Sequence, residues 1–237
     1  MDIKIRSDEE LYMKEMKKWL REESEKPLEE MSVFFERRID GYEDHMSLWK
    51  DAYLKMAQII PAHAHNILDL GCGTGLELDE IFKLYPDISV TGIDLCSAML
   101  DKLKEKHKDK NINLICEDYF TADFGKEIYD LVISFESLHH FTLAQKKGLY
   151  KKVYEALKCG GTFMECDYIA CCDEEEILLF SEYQRKRSKS LVSDKAFVHF
   201  DIPLTAEHEM EAMTSAGFKA EVIDCINGAV FIRADKV

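Results

Sequence analysis

The stretch ILDLGCGTGLE, Ile67–Glu77, decides the fold. An apolar run of strand length stops at Gly71, Gly73 and Gly75, three glycines on alternate positions, where the chain needs backbone conformations that glycine adopts most readily. The spacing G-x-G-x-G differs from the G-x-G-x-x-G of a dinucleotide site, and no Lys-Ser/Thr pair follows as in a triphosphate loop. Asp69, near the end of the strand, would repel a phosphate but suits a ligand that carries an ammonium group. The plainer alternative is a tight strand-to-helix turn with no ligand.

Working outward, the same rhythm repeats. NILDL leads to a helix near 75–85, ISVTGID to a helix over 97–108, then come INLICE, YDLVISF with a helix over 142–158, and GTFMECDYI. Five strands alternating with helices predict a parallel sheet covered on both faces, because parallel strands need crossover connections. Ligands of such sheets bind beyond the carboxyl ends of the strands. A helix from Thr205 to Ala216 then leads into FKAEVIDCI and GAVFIRAD, joined by Asn227-Gly228, a strong hairpin signal. Upstream, Leu11, Met16, Trp19 and Leu20 recur at helical spacing until Pro27, and a second set runs from Trp49 to Ile60. The reading is therefore an N-terminal helical cap over 1–60 and an α/β domain over 61–237, with 170–204 as a lid-like insertion.

Two more acidic residues follow strands. Asp94 lies about 20 residues beyond the last glycine, where a carboxylate accepts hydrogen bonds from a ribose diol; capping the next helix is its plainer role. Asp118 follows INLICE with Tyr119 and Phe120 beside it, a polar group and aromatic surface suited to an adenine ring.

On these motifs the sequence resembles the class I, Rossmann-like, S-adenosylmethionine-dependent methyltransferases over most of its length, from about Phe34 to Ala234. ILDLGCGTG resembles the family's first motif, IDLCSAML its ribose motif, CEDYF its adenine motif, YDLVISFESLHHF its fourth-strand motif and LKCGGTFMECD its late motif. The resemblance implies a doubly wound, seven-stranded, mostly parallel sheet with an antiparallel last strand. It also implies S-adenosyl-L-methionine as methyl donor, S-adenosyl-L-homocysteine as product, and no metal. Carried over by position, Gly71, Cys72, Gly73 and Gly75 pass under the methionine end, with Asp69 holding its ammonium. Asp94, Leu95 and Met99 border the ribose, Asp118, Tyr119 and Phe120 the adenine, and Tyr42, Ser134 and Phe135 the methyl-donor crevice.

Methyl transfer is an in-line displacement, so placing the acceptor atom against the methyl carbon supplies much of the rate. After the fourth strand, Glu136, His139 and His140 are the candidates to bind an acceptor or take its proton; packing is the alternative role for the histidines. His63 and His65 sit in a loop without a fixed third ligand, and Cys171-Cys172 with the acids after it matches no metal-ligand spacing. Arg185, Lys186, Arg187 and Lys189 read as a solvated helix face, or else as a lid that meets an anionic acceptor.

The remaining composition narrows the partners. A net charge of -15 repels phosphate backbones and anionic headgroups, which disfavours nucleic acid and membrane, although a local basic patch could still meet tRNA. Eight cysteines lie mostly in apolar runs with no C-x-x-C, which fits reduced thiols in a cytoplasmic protein. No apolar run approaches the roughly 20 residues that span a bilayer. The expected partner is a small-molecule acceptor whose oxygen or nitrogen is methylated, and a homodimer is compatible with this. Two alternatives keep the fold: an enzyme that alters S-adenosylmethionine itself, as in carboxy-S-adenosylmethionine synthesis, and a non-catalytic cofactor-binding scaffold.

Overall fold

The computed structural model describes residues 4–237; the first three residues of the expected 1–60 cap lie outside them. In chain order the elements are α1 (Glu9–Glu23), β1 (Glu29–Glu30), α2 (Met31–Arg38), α3 (Tyr42–Met46), α4 (Lys50–Gln58), β2 (Asn66–Leu70) and α5 (Leu76–Leu84). β3 (Ser89–Asp94), α6 (Ser97–Lys106), β4 (Ile112–Cys116), β5 (Tyr129–Phe135), α7 (Leu143–Ala156) and β6 (Leu157–Tyr168) follow. The chain closes with α8 (Asp173–Arg187), β7 (Val198–His199), α9 (Ala206–Ser215), β8 (Lys219–Ile226) and β9 (Ala229–Asp235).

Seven strands form one sheet in the order β4-β3-β2-β5-β6-β9-β8. The first four pairings are parallel, and β9 runs antiparallel to both of its neighbours. The final hairpin is what allows that reversal. Asn227 and Gly228 both adopt positive φ, 52° and 87°, the twist that a two-residue turn needs to return a strand beside its partner. The expected strand boundaries hold within a few residues, except that β6 begins before the double glycine, at Leu157, with an irregular register opposite β5 between Tyr129 and Leu131.

The pattern of β2, NILDL, explains its central place. Ile67, Leu68, Asp69 and Leu70 are all fully buried, as a strand covered on both faces requires. One apolar layer packs Leu68, Leu70 and Val132 against Leu149, Tyr150 and Val153 of α7; the opposite layer packs Ile67, Leu131 and Ile133 against Leu78 and Ile81 of α5. Because the winding reverses at β2, the loops after β2, β3 and β5 meet at one end of the sheet. A third apolar cluster joins Met13 and Met16 of α1 to Leu179 of α8 and to Val198, Phe200 and Ile202, so segment 170–204 packs against the N-terminal helix. None of the described helices is long and apolar enough to cross a membrane.

One buried polar network fastens α7 to α9. The Lys146 ammonium donates to Glu209 at 2.5 Å with both side chains fully buried, and the Tyr150 hydroxyl lies within hydrogen-bond reach of both Glu209 and, at 3.0 Å, Glu165. Removing one partner strands a buried charge, whereas removing both does not. Glu209→Ala is therefore expected to cost about 3–5 kcal/mol in urea denaturation, with most of the loss recovered in Lys146→Met/Glu209→Leu. A double variant no more stable than the single one would show that the ion pair is not the source of the loss.

Candidate active site

The turn after β2 is built from backbone. The Gly71 and Cys72 amides donate to Ile93 O at 2.8 and 3.3 Å, and Gly71, Gly73 and Gly75 adopt φ of 75°, 48° and 72°. A methyl group on Gly71 would stand 2.0 Å from Ser137 Oγ, so the turn closes only with hydrogen there. Cys72 points beneath the turn: its Sγ lies where a side chain on Gly92 would collide, and burial pushes the thiol pKa well up.

Asp94 ties this turn to the next. Its Oδ2 accepts from the Gly73 amide at 2.9 Å and its Oδ1 from the Cys96 amide at 2.8 Å. Burial raises the carboxyl pKa, and the amides oppose that rise. Both oxygens retain lone pairs on the crevice that Asp94 helps to line.

Asp69 lies under the turn with neither carboxylate oxygen hydrogen-bonded among the described residues. Burial, and then the neighbouring Glu77 carboxyl, hold its pKa well above the ordinary value. Glu77 itself is pushed up to about 7 by burial, although its contact with Asp69 and the amides at the start of α5 oppose this. Glu77, and not Asp69, reaches the wall of the small cavity of about 10 Å³ beside Gly71, Thr74 and Gly75. Sequence reading passed over this residue, two places beyond the last glycine. The acid pair and the bare glycine turn fit a ligand that brings its own ammonium group.

Of the residues expected at the adenine end, Tyr119 lines the crevice and its hydroxyl meets Ser137 Oγ at 3.2 Å. Asp118 instead accepts from the Phe120 amide at 2.8 Å, and the Phe120 ring packs with Phe141 and Phe197; neither borders the three cavities around the turn. Ser134 also stays away from the crevice: it is fully buried and donates to Leu70 O at 3.2 Å. Leu95, Met99 and Phe135 line the crevice.

After β5 the chain bends sharply at Glu136, whose φ of 48° is uncommon for a side chain with a Cβ. Burial pushes its carboxyl up to about 8, against the lowering effect of His139. His139 Nδ1 lies 2.5 Å from Asp167 Oδ1, and Nε2 lies 3.6 Å from Asp201 Oδ1. Burial alone would lower the His139 pKa, but Asp167 first and then Asp201 and Glu136 push it up to about 9. These carboxylates thus favour the protonated form of the His139 ring in the ligand-free protein. Burial and the His139 charge lower the His140 pKa, so that ring stays neutral.

Two cavities meet at these residues. The crevice is narrow, about 60 Å³, and Phe35 and Tyr42 from the N-terminal segment form part of its wall. Beside it lies a cavity of about 970 Å³, lined among others by Arg6, Tyr12, Tyr168 and His199. Phe35, Tyr42, Glu136 and His140 belong to both walls. Ligand pockets usually span about 300–1,000 Å³, a range that the larger cavity reaches and the crevice does not. Arg185 and Arg187 are elsewhere: Arg185 pairs with Glu182 and donates to Ser24 O, and Arg187 donates to Ser193 O and Ala196 O.

Sequence and fold both match known proteins. A methyltransferase-domain family matches residues 67–161. The carboxy-S-adenosyl-L-methionine synthase of Campylobacter fetus subsp. fetus is 30% identical over 179 residues, which cover 70% of this chain and 76% of that one. The chain belongs to the class I S-adenosylmethionine-dependent methyltransferases. Its cofactor is accordingly S-adenosyl-L-methionine. A second relative of this methyltransferase, the phosphoethanolamine N-methyltransferase of Plasmodium falciparum, is 29% identical over 155 residues, 65% of this chain but only 53% of that one. Among solved structures, CalS10, an amino pentose methyltransferase from Micromonospora echinaspora, superposes with a TM-score of 0.63 at 17% identity, covering 83% of this chain and 96% of that one; at such identity the likeness concerns the fold.

Two expectations follow. Asp94→Ala removes the clamp between Gly73 and Cys96, and S-adenosylmethionine affinity by calorimetry should fall at least about tenfold, since buried hydroxyls and amides are left unpaired; near-normal affinity would discard the assignment. Glu77 has a folded pKa of about 7, above its ordinary 4.5, so its stabilising contribution is full below pH 4.5 and is lost as pH rises through about 7. In ligand-free protein the unfolding free energy should therefore decline across that window, and Glu77→Gln should flatten the decline; identical slopes would refute the assignment.

Proposed function

We propose that this enzyme transfers the methyl group of S-adenosylmethionine to an oxygen or nitrogen of a small-molecule acceptor held in the 970 Å³ cavity. The observation that carries this reading is the shared wall: Phe35, Tyr42, Glu136 and His140 border both the cofactor crevice and the large cavity, so molecules on the two sides would meet at these four residues. The bound cofactor supplies a sulfonium-activated methyl group. The chain's own residues orient the partners and exclude water. Tyr42 also borders the small cavity beside the glycine turn, which supports a role for it between the methionine end and the acceptor.

The acceptor side is assembled from segments far apart in sequence. Phe34 stacks on His199 with ring centroids 3.5 Å apart, and Arg38 lies 3.7 Å over the other partner of that stack, the Phe34 ring. β1 and β7 hold these two segments together as a two-stranded sheet. In this reading the N-terminal cap and the 170–204 segment together enclose the acceptor and admit it by moving apart.

One observation favours a second reading, in which the enzyme modifies the cofactor itself. Arg6 borders the large cavity over the Tyr12 and Tyr168 rings, and no carboxylate lies within ion-pair distance of it among the described residues. A carboxylate carried by the ligand would satisfy it, and a relative is named as a carboxy-S-adenosyl-L-methionine synthase.

Mass spectrometry of ligands retained by the purified protein, and of metabolite extracts incubated with it and isotope-labelled S-adenosylmethionine, separates the readings. A labelled small-molecule product is expected. His199→Trp, which fills the large cavity without touching the crevice, should abolish that product while leaving S-adenosylmethionine affinity within about twofold. Label found only in macromolecules, or retained carboxy-S-adenosylmethionine, would overturn the proposal.

A further inference from the structure

We propose that His139, His140 and Asp201 form a binding site for one divalent transition-metal ion, open to the large cavity. The proposal begins from spacing. His139 Nε2 lies 3.6 Å and His140 Nδ1 3.2 Å from Asp201 Oδ1, and one ligand atom from each residue falls within 4.8 Å of the others. Tetrahedral metal sites with bonds of about 2.0–2.2 Å hold their ligand atoms roughly 3.4 Å apart. These two separations fall on either side of that value.

The ligands are also held in place. Asp167 Oδ1 accepts from His139 Nδ1–H, so that Nε2, releasing its proton to solvent as the metal binds, is the nitrogen presented, the arrangement by which a carboxylate orients a metal-bound histidine. Asp167 is itself anchored, accepting from the Leu138 and Tyr168 amides at 2.8 Å each. The loop that carries Asp201 is tied to the histidine turn, because the Ile202 amide donates to His139 O at 2.8 Å. His140 Nδ1 also stands 3.3 Å from Phe200 O; as a ligand it gives up that contact and carries its proton on Nε2.

Charge and exposure select the kind of ion. The ionised Asp167 and Asp201 carboxylates converge on two imidazoles, a set that favours a dication. Two imidazole nitrogens with one carboxylate suit Zn²⁺, Co²⁺ or Fe²⁺ better than Ca²⁺ or Mg²⁺, which prefer oxygen ligands. All three ligands border the large cavity, which leaves the remaining coordination position facing it, as in metal sites that bind substrate. That an acceptor atom would occupy this position rests on the proposed function; the metal site does not.

The test uses the full chain, stripped with a chelator and titrated with Co²⁺ without cofactor or acceptor. One equivalent should bind with the visible d–d absorption of a low-coordinate site and be displaced by Zn²⁺. Asp201→Asn should weaken Co²⁺ binding at least tenfold while circular dichroism and thermal midpoint match the parent, since this side chain is one-third exposed on a loop. His140→Gln should do the same, and His63→Gln/His65→Gln should leave binding unchanged. Absence of d–d bands at stoichiometric Co²⁺, or parental affinity in Asp201→Asn, would overturn the proposal. Because the readout is metal binding, failure of the acceptor assignment leaves the result interpretable.

Discussion

The Asp94 carboxylate, bonded to the Gly73 amide on one side and the Cys96 amide on the other, is the constraint from which the rest of the site follows. It binds together the loops after the adjacent strands β2 and β3, beside the topological switch between β2 and β5, and so helps to hold the glycine turn. The turn has little side-chain surface to fix it. Its shape comes from amides that donate to Ile93 O and to Asp94, and from the absence of a Cβ where Ser137 approaches. A site formed from main chain in this way keeps its geometry while the surrounding residues vary, which is why the cofactor end is recognisable and the acceptor end is not.

The site also concentrates acid. Asp69, Glu77, Asp94, Glu136 and Asp167 lie within a few elements of one another, and burial raises the pKa of the first four. Asp167 is the exception: the His139 imidazolium overcomes the desolvation cost and keeps it ionised. Burial thus favours the neutral form of these four carboxyls in the ligand-free protein. A ligand ammonium near Asp69 and Glu77 relieves an electrostatic cost that the apo protein meets by protonation.

The fold was legible in the sequence because its signals are local. Each strand is a short apolar run, the turn is written in three glycines, and Asn227-Gly228 specifies the hairpin that reverses β9. Asp94 was legible for the same reason, since a fixed number of residues separates it from the turn. Ser134 misled because strand-end position does not say which way a side chain points; its hydroxyl is spent on Leu70 O. Glu77 was hidden by its place in a helix, where an acid in the first turn reads as ordinary complement to the helix dipole. Arg6, His199 and Asp201 left no signal, because their proximity to the histidine turn depends on contacts that span most of the chain.

That last difference explains where function diverges within a shared fold. The parallel sheet positions the crevice through neighbouring strands, so any chain that keeps the alternation keeps the crevice. The large cavity depends instead on α1, α2 and the segment from α8 to β7, which meet through the apolar cluster around Met13, Leu179 and Phe200 and through the short pairing of Glu29 and Glu30 with Val198 and His199. These contacts do not form part of the main sheet, and a change of one residue in the paired segments turns a different side chain toward the cavity. A family match over residues 67–161 therefore speaks for the cofactor, while most of the wall of the large cavity, Arg6, Tyr12, Phe34, Tyr42, His199 and Asp201 among it, lies outside that range.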